Sequence, residues 1–323
     1  MTEIKAAVVT DFNHYPKLTN FTAPTPAANE KLINVEAAAV YNLVRGRANG
    51  SHYSSTTKFP FIPGVDGVGR LTDGNPVYFF NFDGKHGSIA EQTAAPTNQI
   101  VALPSNITHQ QMVKVAAGMN PAMSSWMALV LRVGDLTGKD VLIMGVTGEA
   151  GKMAVQIAKH LGSKQIIGVG RNREKLADVK KLGATKVISL LDDPEILKPA
   201  LLKTANVDVV LDYLWGDVTQ NYLQNILPAR FDHSKELTWI EIGNMAGRSL
   251  DLPGAVLRSI NLLLVGSGLG SFSNTAYATQ FKKLAELIAH GELTIKPKEV
   301  PLSELNEKNW LDNSQRTVYT MKK

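Results

Sequence analysis

The chain reads as an α/β protein in two parts: a β-rich first segment and a doubly wound parallel sheet of six strands. Three observations predict this. Residues 1 to about 118 carry short strand-like runs separated by Gly, Pro and Asn. From about 119, apolar strands alternate with amphipathic helical stretches. Between Asp140 and Arg173, a strand, a glycine loop, a helix and a second strand follow in succession.

In the first segment, residues 4–10, 32–40, 77–80 and 89–94 are strand-like, and Pro63 to Gly69 supplies turns around a further short strand. This pattern predicts a small barrel or a pair of packed sheets. In the second segment, the candidate parallel strands are 140–145, 165–169, 186–190, 207–212, 237–243 and 260–266. Their apolar character suits strands covered on both faces, with ligands expected at the carboxyl ends. The last stretch holds an amphipathic helix through Phe281, Leu284, Ala285 and Ile288, then a strand at 293–300. It is expected to return to the first domain. The expected domains are therefore 1–118, completed by 270–323, with 119–269 inserted as the cofactor domain.

The stretch 140–173 carries the most chemistry. Val141-Leu142-Ile143-Met144 runs into Gly145-Val146-Thr147-Gly148-Glu149-Ala150-Gly151. That loop opens a helix whose apolar residues Ala154, Ile157, Ala158 and Leu161 stand at i, i+3, i+4 and i+7. The unit is the βαβ arrangement that holds a dinucleotide. The glycines permit a tight turn and close backbone approach, and the helix N-terminus offers free N–H groups and a positive dipole end to a pyrophosphate. Thr147, Gly148, Glu149 and Ala150 are the expected contacts there. Many NAD sites place Asp or Glu at the end of the second strand, to bind the ribose 2′-hydroxyl. This chain has Gly170, Arg171, Asn172 and Arg173 instead. A carboxylate would repel a 2′-phosphate, whereas two guanidiniums can pair with it. The expected cofactor is NADPH; the other reading makes both arginines a solvated helix start. Leu214, Gly243, Asn244, Gly266 and Ser267, at later strand ends, are expected to meet the same cofactor. Asn244 would hydrogen-bond or cap a turn, and Asp212 is expected to close its strand rather than act as a base.

Composition narrows the class. At 323 residues there is room for two sizeable cores, and 44% hydrophobic with 20% charged residues fits a soluble globular protein. No run of about 18 uncharged apolar residues suggests a membrane span. The start lacks the basic-then-apolar plan of a signal peptide, and the protein is expected to be cytoplasmic. A formal charge of +5, spread along the chain, fits an anionic cofactor and does not call for nucleic acid. The absence of cysteine removes disulfides, cysteine nucleophiles and thiolate zinc sites together. The seven histidines show no ligand-like spacing, so no metal is expected.

These residues resemble the zinc-free, quinone oxidoreductase-like group of the medium-chain dehydrogenase/reductase superfamily. The resemblance runs through Ile4-Lys5-Ala6-Ala7-Val8-Val9, Phe61-Ile62-Pro63-Gly64-Val65-Asp66-Gly67-Val68-Gly69, Ala90-Glu91 and Gly134-Asp135-Leu136-Thr137-Gly138-Lys139. It continues through the glycine loop and the Lys181-Leu182-Gly183-Ala184 turn. It implies a GroES-like catalytic domain, a Rossmann cofactor domain, an active site in the cleft between them, and hydride transfer from a nicotinamide. Zinc-dependent relatives place Cys and His where Tyr41 and Val65 stand here, which implies no catalytic zinc. Quinone oxidoreductases usually carry Asn-Pro-x-Asp where this chain has Tyr41-Asn42-Leu43-Val44, so the usual substrate contacts are altered. Asn120-Pro121-Ala122-Met123-Ser124-Ser125-Trp126 is similar to mitochondrial-type enoyl thioester reductases.

A reductase without metal must stabilise a developing oxyanion or enolate with hydrogen-bond donors, then protonate it through Tyr or water. The resemblance puts Tyr53 near the nicotinamide, as donor or acid or as a packed rim residue. Tyr41 and Asn42 are the next candidates, though Tyr41 equally suits filling the volume of the missing metal site. His52 is a proton relay or an exposed loop residue. Ser124 aligns with a cofactor-contacting hydroxyl, or is a helix-start residue. The expected activity is that of an NADPH-dependent quinone oxidoreductase or double-bond reductase acting on a small carbonyl or quinone substrate. One alternative is an enoyl thioester reductase, with Arg45, Arg47 and Lys58 as a basic entrance. The other is a non-catalytic NADPH-binding protein. A homodimer is implied, with 261–265 as an edge strand open to pairing.

Overall fold

The computed structural model describes residues 2–52, 54–82 and 84–321. Along the chain, the first strands are β1 Glu3–Val8, β2 Lys17–Thr22 and β3 Glu30–Val40, followed by helix α1 Asn42–Ala48. Then come β4 Asp66–Leu71, β5 Pro76–Phe80, β6 Gln92–Pro96, β7 Ile100–Ala102 and the long helix α2 His109–Ala128. The alternating part runs β8 Asp140–Met144, α3 Glu149–His160, β9 Gln165–Gly170, α4 Arg173–Leu182, β10 Lys186–Ser189, α5 Pro194–Leu202 and β11 Val209–Asp212. It continues with α6 Gly216–Asn225, β12 Leu237–Glu241, α7 Gly254–Ser259 and β13 Leu262–Gly266. The chain closes with α8 Asn274–His290, β14 Pro297–Pro301, α9 Glu307–Leu311 and β15 Arg316–Thr320.

Two compact units result: Met1–Asn120 with Ser273–Lys323, and Pro121–Phe272. The first division falls inside α2. Ser124 therefore stands in a helix interior, where its Oγ donates back to the Pro121 carbonyl at 3.2 Å. The helix-start reading of Ser124 is corrected.

The second unit is a six-stranded parallel sheet in the order β10-β9-β8-β11-β12-β13. Counted from its first strand, this is the 3-2-1-4-5-6 order of a Rossmann fold. β8 is buried from Val141 to Met144, because helices cover both faces of a parallel sheet. Trp239, Tyr222, Leu142 and Val210 anchor the core on one face.

The first unit holds a seven-stranded sheet in the order β14-β15-β3-β4-β5-β7, with β6 also paired to β3, beside a β1-β2 hairpin. β15 runs antiparallel to β3, matching Val318 to Ala39, so the C-terminal segment completes this sheet. The strand expected at 89–94 starts three residues later: β6 begins at Gln92, and Ala90 makes only an isolated bridge to Ala6.

One buried polar network organises the middle of this unit. Asp66 opens β4 and is 2% exposed. Its Oδ1 accepts the Tyr41 phenol at 2.6 Å and its Oδ2 the Tyr78 phenol at 2.9 Å. Tyr41 follows β3 in extended backbone, and the Arg316 guanidinium lies 4.7 Å over its ring. The Tyr78 ring meets Phe281 of α8 edge-on. Burial raises the Asp66 carboxyl to about 6, against the lowering effect of both phenols and of Arg316. The folded protein therefore binds a proton that the unfolded chain releases between about pH 4 and 6. Stability from this group is full below about pH 4 and is lost as pH rises through 6. At 1.36 kcal/mol per unit, the loss is about 3 kcal/mol. Urea unfolding should show the native chain losing this amount relative to Asp66→Asn between pH 4 and 7; parallel pH profiles for the two proteins would rule out titration of this carboxyl.

Candidate functional site

The glycine loop occupies the junction of β8 and α3. Gly148 caps the helix, and the first helical bond runs from the Lys152 N–H to the Gly148 carbonyl at 2.9 Å. The amides before it lack helical acceptors, which leaves donors at the positive end of a three-turn helix. Gly151 cannot be larger: a Cβ there would lie 2.5 Å from Val146 Cα and 2.6 Å from the Gly145 carbonyl oxygen. The second glycine constraint is Gly170, at the end of β9. A Cβ would lie 2.7 Å from Thr147 Cγ2, so the loop is seated directly on that strand end. Glu149 is engaged by Lys152 at 2.8 Å, which neutralises the one carboxylate in the first turn. These residues fit a dinucleotide phosphate.

Beyond Gly170, the sequence-predicted residues divide. Arg171 is exposed. Asn172 caps α4, its Oδ1 accepting the Lys175 N–H at 2.9 Å. Arg173 is the first residue of α4 and pairs with Asp192 at 3.0 Å, with side chains 67% and 32% exposed. At that exposure the pair contributes at most about 1 kcal/mol. No acidic side chain occupies the ribose position itself, although Asp192 is close enough to hold one of the two arginines.

The ends of β11, β12 and β13 are laced together. Asp212 is fully buried. Its Oδ1 accepts the N–H groups of Leu214 and Trp215 at 2.8 and 2.9 Å, and its Oδ2 accepts Thr219 Oγ1 at 2.5 Å and Trp239 Nε1 at 3.1 Å. Asp212 closes its strand as expected and has no acceptor capacity left for base chemistry. The Tyr213 phenol is buried and lies 3.2 Å from Ser124 Oγ. Burial pushes it up to about 12, against the lowering effect of Ser124 and Ser125. Ser124 therefore meets a phenol of its own unit. The Ser267 N–H donates to the Glu241 carbonyl at 2.8 Å, and Met245 and Ala246 donate to the carbonyls of Tyr213 and Leu214. Gly243, Asn244 and Gly266 thus stand on neighbouring strand ends. Sequence reasoning missed Trp215, Glu241 and Arg248, which line a cavity with Asn244 and Gly266. The available signal was a charged residue closing the apolar run Leu237-Thr238-Trp239-Ile240.

In the first unit, Tyr41 is buried, and its phenol, donated to Asp66, is held well above its ordinary value by burial. Asn42 opens α1 and is exposed. Tyr53 lies outside the described residues. His52 contacts Ser54 Oγ through Nδ1 at 2.9 Å, and burial with the nearby Arg47 charge lowers its pKa. The proposed basic entrance is not assembled. Arg45 donates to the carbonyls of Trp310 and Asp312, and Arg47 is 9% exposed with Phe82 near its guanidinium. Of the three, Lys58 is exposed, Arg45 is half-buried and Arg47 is buried. Among the described residues, no three His, Cys, Asp or Glu side chains group to hold a metal ion.

Residues 150–229 match the family model described as zinc-binding dehydrogenase. The chain is 29% identical over 328 residues to a protein of Emericella nidulans named "Probable NADPH-dependent quinone reductase", covering 90% of this chain and 91% of that one. It is also 29% identical over 206 residues to the chloroplastic NADPH-dependent alkenal/one oxidoreductase of Arabidopsis thaliana, covering 58% of this chain and 52% of the relative. A mycobacterial quinone oxidoreductase structure superposes with a TM-score of 0.80 at 18% identity, covering 98% and 99% of the two chains. The quinone oxidoreductase of Coxiella burnetii superposes at 0.74 and 21%, covering 99% and 100%. At those identities the structural likeness speaks for the fold. With the strand order, the glycine loop and the near-full-length relative, the chain belongs to the medium-chain dehydrogenase/reductase superfamily, in its quinone oxidoreductase-like group.

Proposed function

We propose that this protein is an NADPH-dependent, zinc-independent oxidoreductase that reduces a quinone or an activated C=C bond of an enone or enal. The observation that carries this reading is the junction of Gly151 and Gly170 with Arg171: a phosphate cradle whose adjoining strand end presents cations where an acid would select NADH. Relatives named for quinone and alkenal/one reduction support the reaction class.

When bound, a reduced nicotinamide supplies the electron pair that such an acceptor takes up. The chain's own part is to hold the dinucleotide and to meet the charge that develops on the acceptor oxygen. Thr147, Gly148, Glu149 and Ala150 would receive the pyrophosphate. Gly170, Arg171, Asn172 and Arg173 would receive the 2′-phosphorylated ribose. Leu214, Gly243, Asn244, Gly266 and Ser267 would follow the cofactor along the later strand ends, and Ser124 would stand beside it. Tyr53 is the proposed donor or acid, from its place after Gly50-Ser51-His52. Asn42 offers a second donor at the head of α1. Tyr41 keeps its proton on Asp66 and acts by filling space. The thioester reading, suggested by the stretch 120–126, needs a basic entrance, and Arg45 and Arg47 are turned to other contacts.

Purified protein should oxidise NADPH with an ortho-quinone or an α,β-unsaturated ketone, and NADH more slowly. Tight NADPH binding without turnover on either acceptor would move weight to the thioester reductase or to the non-catalytic reading. Arg171→Ala should weaken NADPH binding about tenfold or more, the scale of one charge-assisted hydrogen bond. Arg173→Ala should cost less, because Asp192 already competes for that guanidinium. Calorimetry showing equal losses for NADPH and NADH would contradict the 2′-phosphate assignment. The proposed homodimer pairs through β13, which ends the six-stranded sheet and leaves Leu263 45% exposed. Light scattering should give twice the chain mass, falling to one chain mass in Leu263→Lys; a monomeric native protein would remove the pairing.

A further inference from the structure

Asn49 and Gly50 form the one Asn-Gly pair in the sequence, and they stand where α1 ends. Asn49 caps the helix, its N–H donating to the Arg45 carbonyl at 3.0 Å, with φ −109° and ψ 9°. Gly50 follows at φ 76°, and a Cβ on it would lie 2.7 Å from the Phe12 ring. The left-handed backbone and the ring both require glycine at this place. Phe59 in turn holds the Phe12 ring edge-on, with centroids 4.8 Å apart. Asn49, Gly50 and Ser51 are exposed to water. The Asn49 side-chain oxygen accepts two donors from Ser51, its N–H at 3.1 Å and its hydroxyl at 2.7 Å. The chain then returns to α1. The His52 N–H donates to the Gly46 carbonyl at 3.1 Å, and the Ser55 hydroxyl is shared between the carbonyls of Gly46 and His52 at 3.2 and 2.8 Å.

An asparagine amide can be attacked by the backbone nitrogen of the next residue, and glycine in that place has no Cβ to obstruct the approach. Negative charge then develops on the side-chain oxygen. At Asn49 two donors already point at that oxygen, the arrangement that stabilises a tetrahedral intermediate. Arg45 and Arg47 in the last turn offset the negative end of α1. At ψ 9° the Gly50 nitrogen stands off the line of attack, so ring closure needs rotation about the Asn49 Cα–C bond. A helix end opens at small free-energy cost, and the Ser51 hydroxyl can turn with the oxygen it serves.

We propose that Asn49 is a self-modifying site, converted by water alone into aspartate and isoaspartate in the folded protein, with the Ser51 hydroxyl assisting. The Gly50 nitrogen loses its proton to water and bonds to Asn49 Cγ. The Cγ–Nδ2 bond breaks, and ammonia leaves with the proton returned to it. Water then opens the resulting succinimide ring. Opening at Cγ leaves aspartate; opening at the main-chain carbonyl leaves isoaspartate, which carries the backbone through the former side chain. No electrons are exchanged, and each product gains one negative charge. Isoaspartate also inserts a methylene between Gly46 and His52, and so breaks the register in which the His52 N–H meets the Gly46 carbonyl. The test is peptide mass spectrometry on the native protein held for days at body temperature and mildly alkaline pH, beside the same chain in denaturant. Trypsin releases residues 48–58, in which Asn49 is the only asparagine. That peptide should gain about 1 Da, the exchange of an amide for an acid, at a rate within several-fold of the denatured chain, with isoaspartate detected by fragmentation. The peptide 32–45, which carries Asn34 and Asn42, should keep its mass. Ser51→Ala keeps the N–H and loses the hydroxyl, and should convert several-fold more slowly than the native chain when folded and equally fast when denatured. An unchanged 48–58 peptide in the folded protein, while the denatured chain converts, would overturn the site. Equal folded rates for Ser51→Ala and the native chain would overturn the part given to the hydroxyl.

Discussion

The carboxylate of Asp212 is the interaction on which the ligand-facing end of the second unit depends. A buried ionised group is tolerated only when hydrogen bonds replace its hydration. Asp212 receives four donors from three places: two loop amides, the Thr219 hydroxyl of α6 and the Trp239 indole of β12. Satisfying the charge therefore fixes where β11 stops, where α6 starts and how β12 lies beside them. The backward-turned loop at Trp215 follows from the same four bonds, and with it the position of an aromatic plane at the strand ends. A neutral residue would relax this demand, and the loop geometry would lose its cause.

The first unit solves a related problem with a weaker set of donors. Asp66 has two phenols and no backbone amide, so burial prevails and its carboxyl rises to about 6. The Tyr41 ring, with Arg316 over its face, fills a position where zinc-dependent relatives carry a cysteine. The replacement is thus a packed and hydrogen-bonded cluster, joined through Tyr78 and Phe281 to α8. A phenol committed in this way has little chemistry to offer, which explains why the same residue reads in sequence as both a catalytic candidate and a space-filler.

Much of the second unit was legible in the sequence, because parallel strands buried on both faces are short apolar runs and a phosphate loop must contain glycines where backbone meets backbone. Gly151 and Gly170 were visible for that reason. The first unit was less so. β2 is polar and largely exposed, and β15 is a five-residue segment whose identity comes from pairing with β3 some 280 residues earlier in the chain. No local period encodes such a contact. The helix-start alternative for Ser124 fails because α2 continues through Pro121 and ends at Ala128, past the serine. Trp215 and Arg248 were invisible for another reason, and Glu241 showed only as a charge closing an apolar run. They converge only after two loops from different strands are tied together, and no spacing in the chain announces it.

The arginine pair shows why geometry refines a charge argument. From sequence, Arg171 and Arg173 are equivalent cations. In the fold, Arg173 leads α4 and leans on Asp192, while Arg171 precedes the Asn172 cap and is exposed. The positive end of α4 repels both guanidiniums equally in sign but acts most on the residue within its first turn. Asp192 offsets that repulsion for Arg173, and an exposed pair of this kind is weak enough to yield to a doubly charged phosphate. The acid near this strand end thus holds a cation in place instead of claiming a ribose hydroxyl. The same residue type that would mark an NADH site at Gly170 stands, twenty-two positions later, as the ion-pair partner of Arg173.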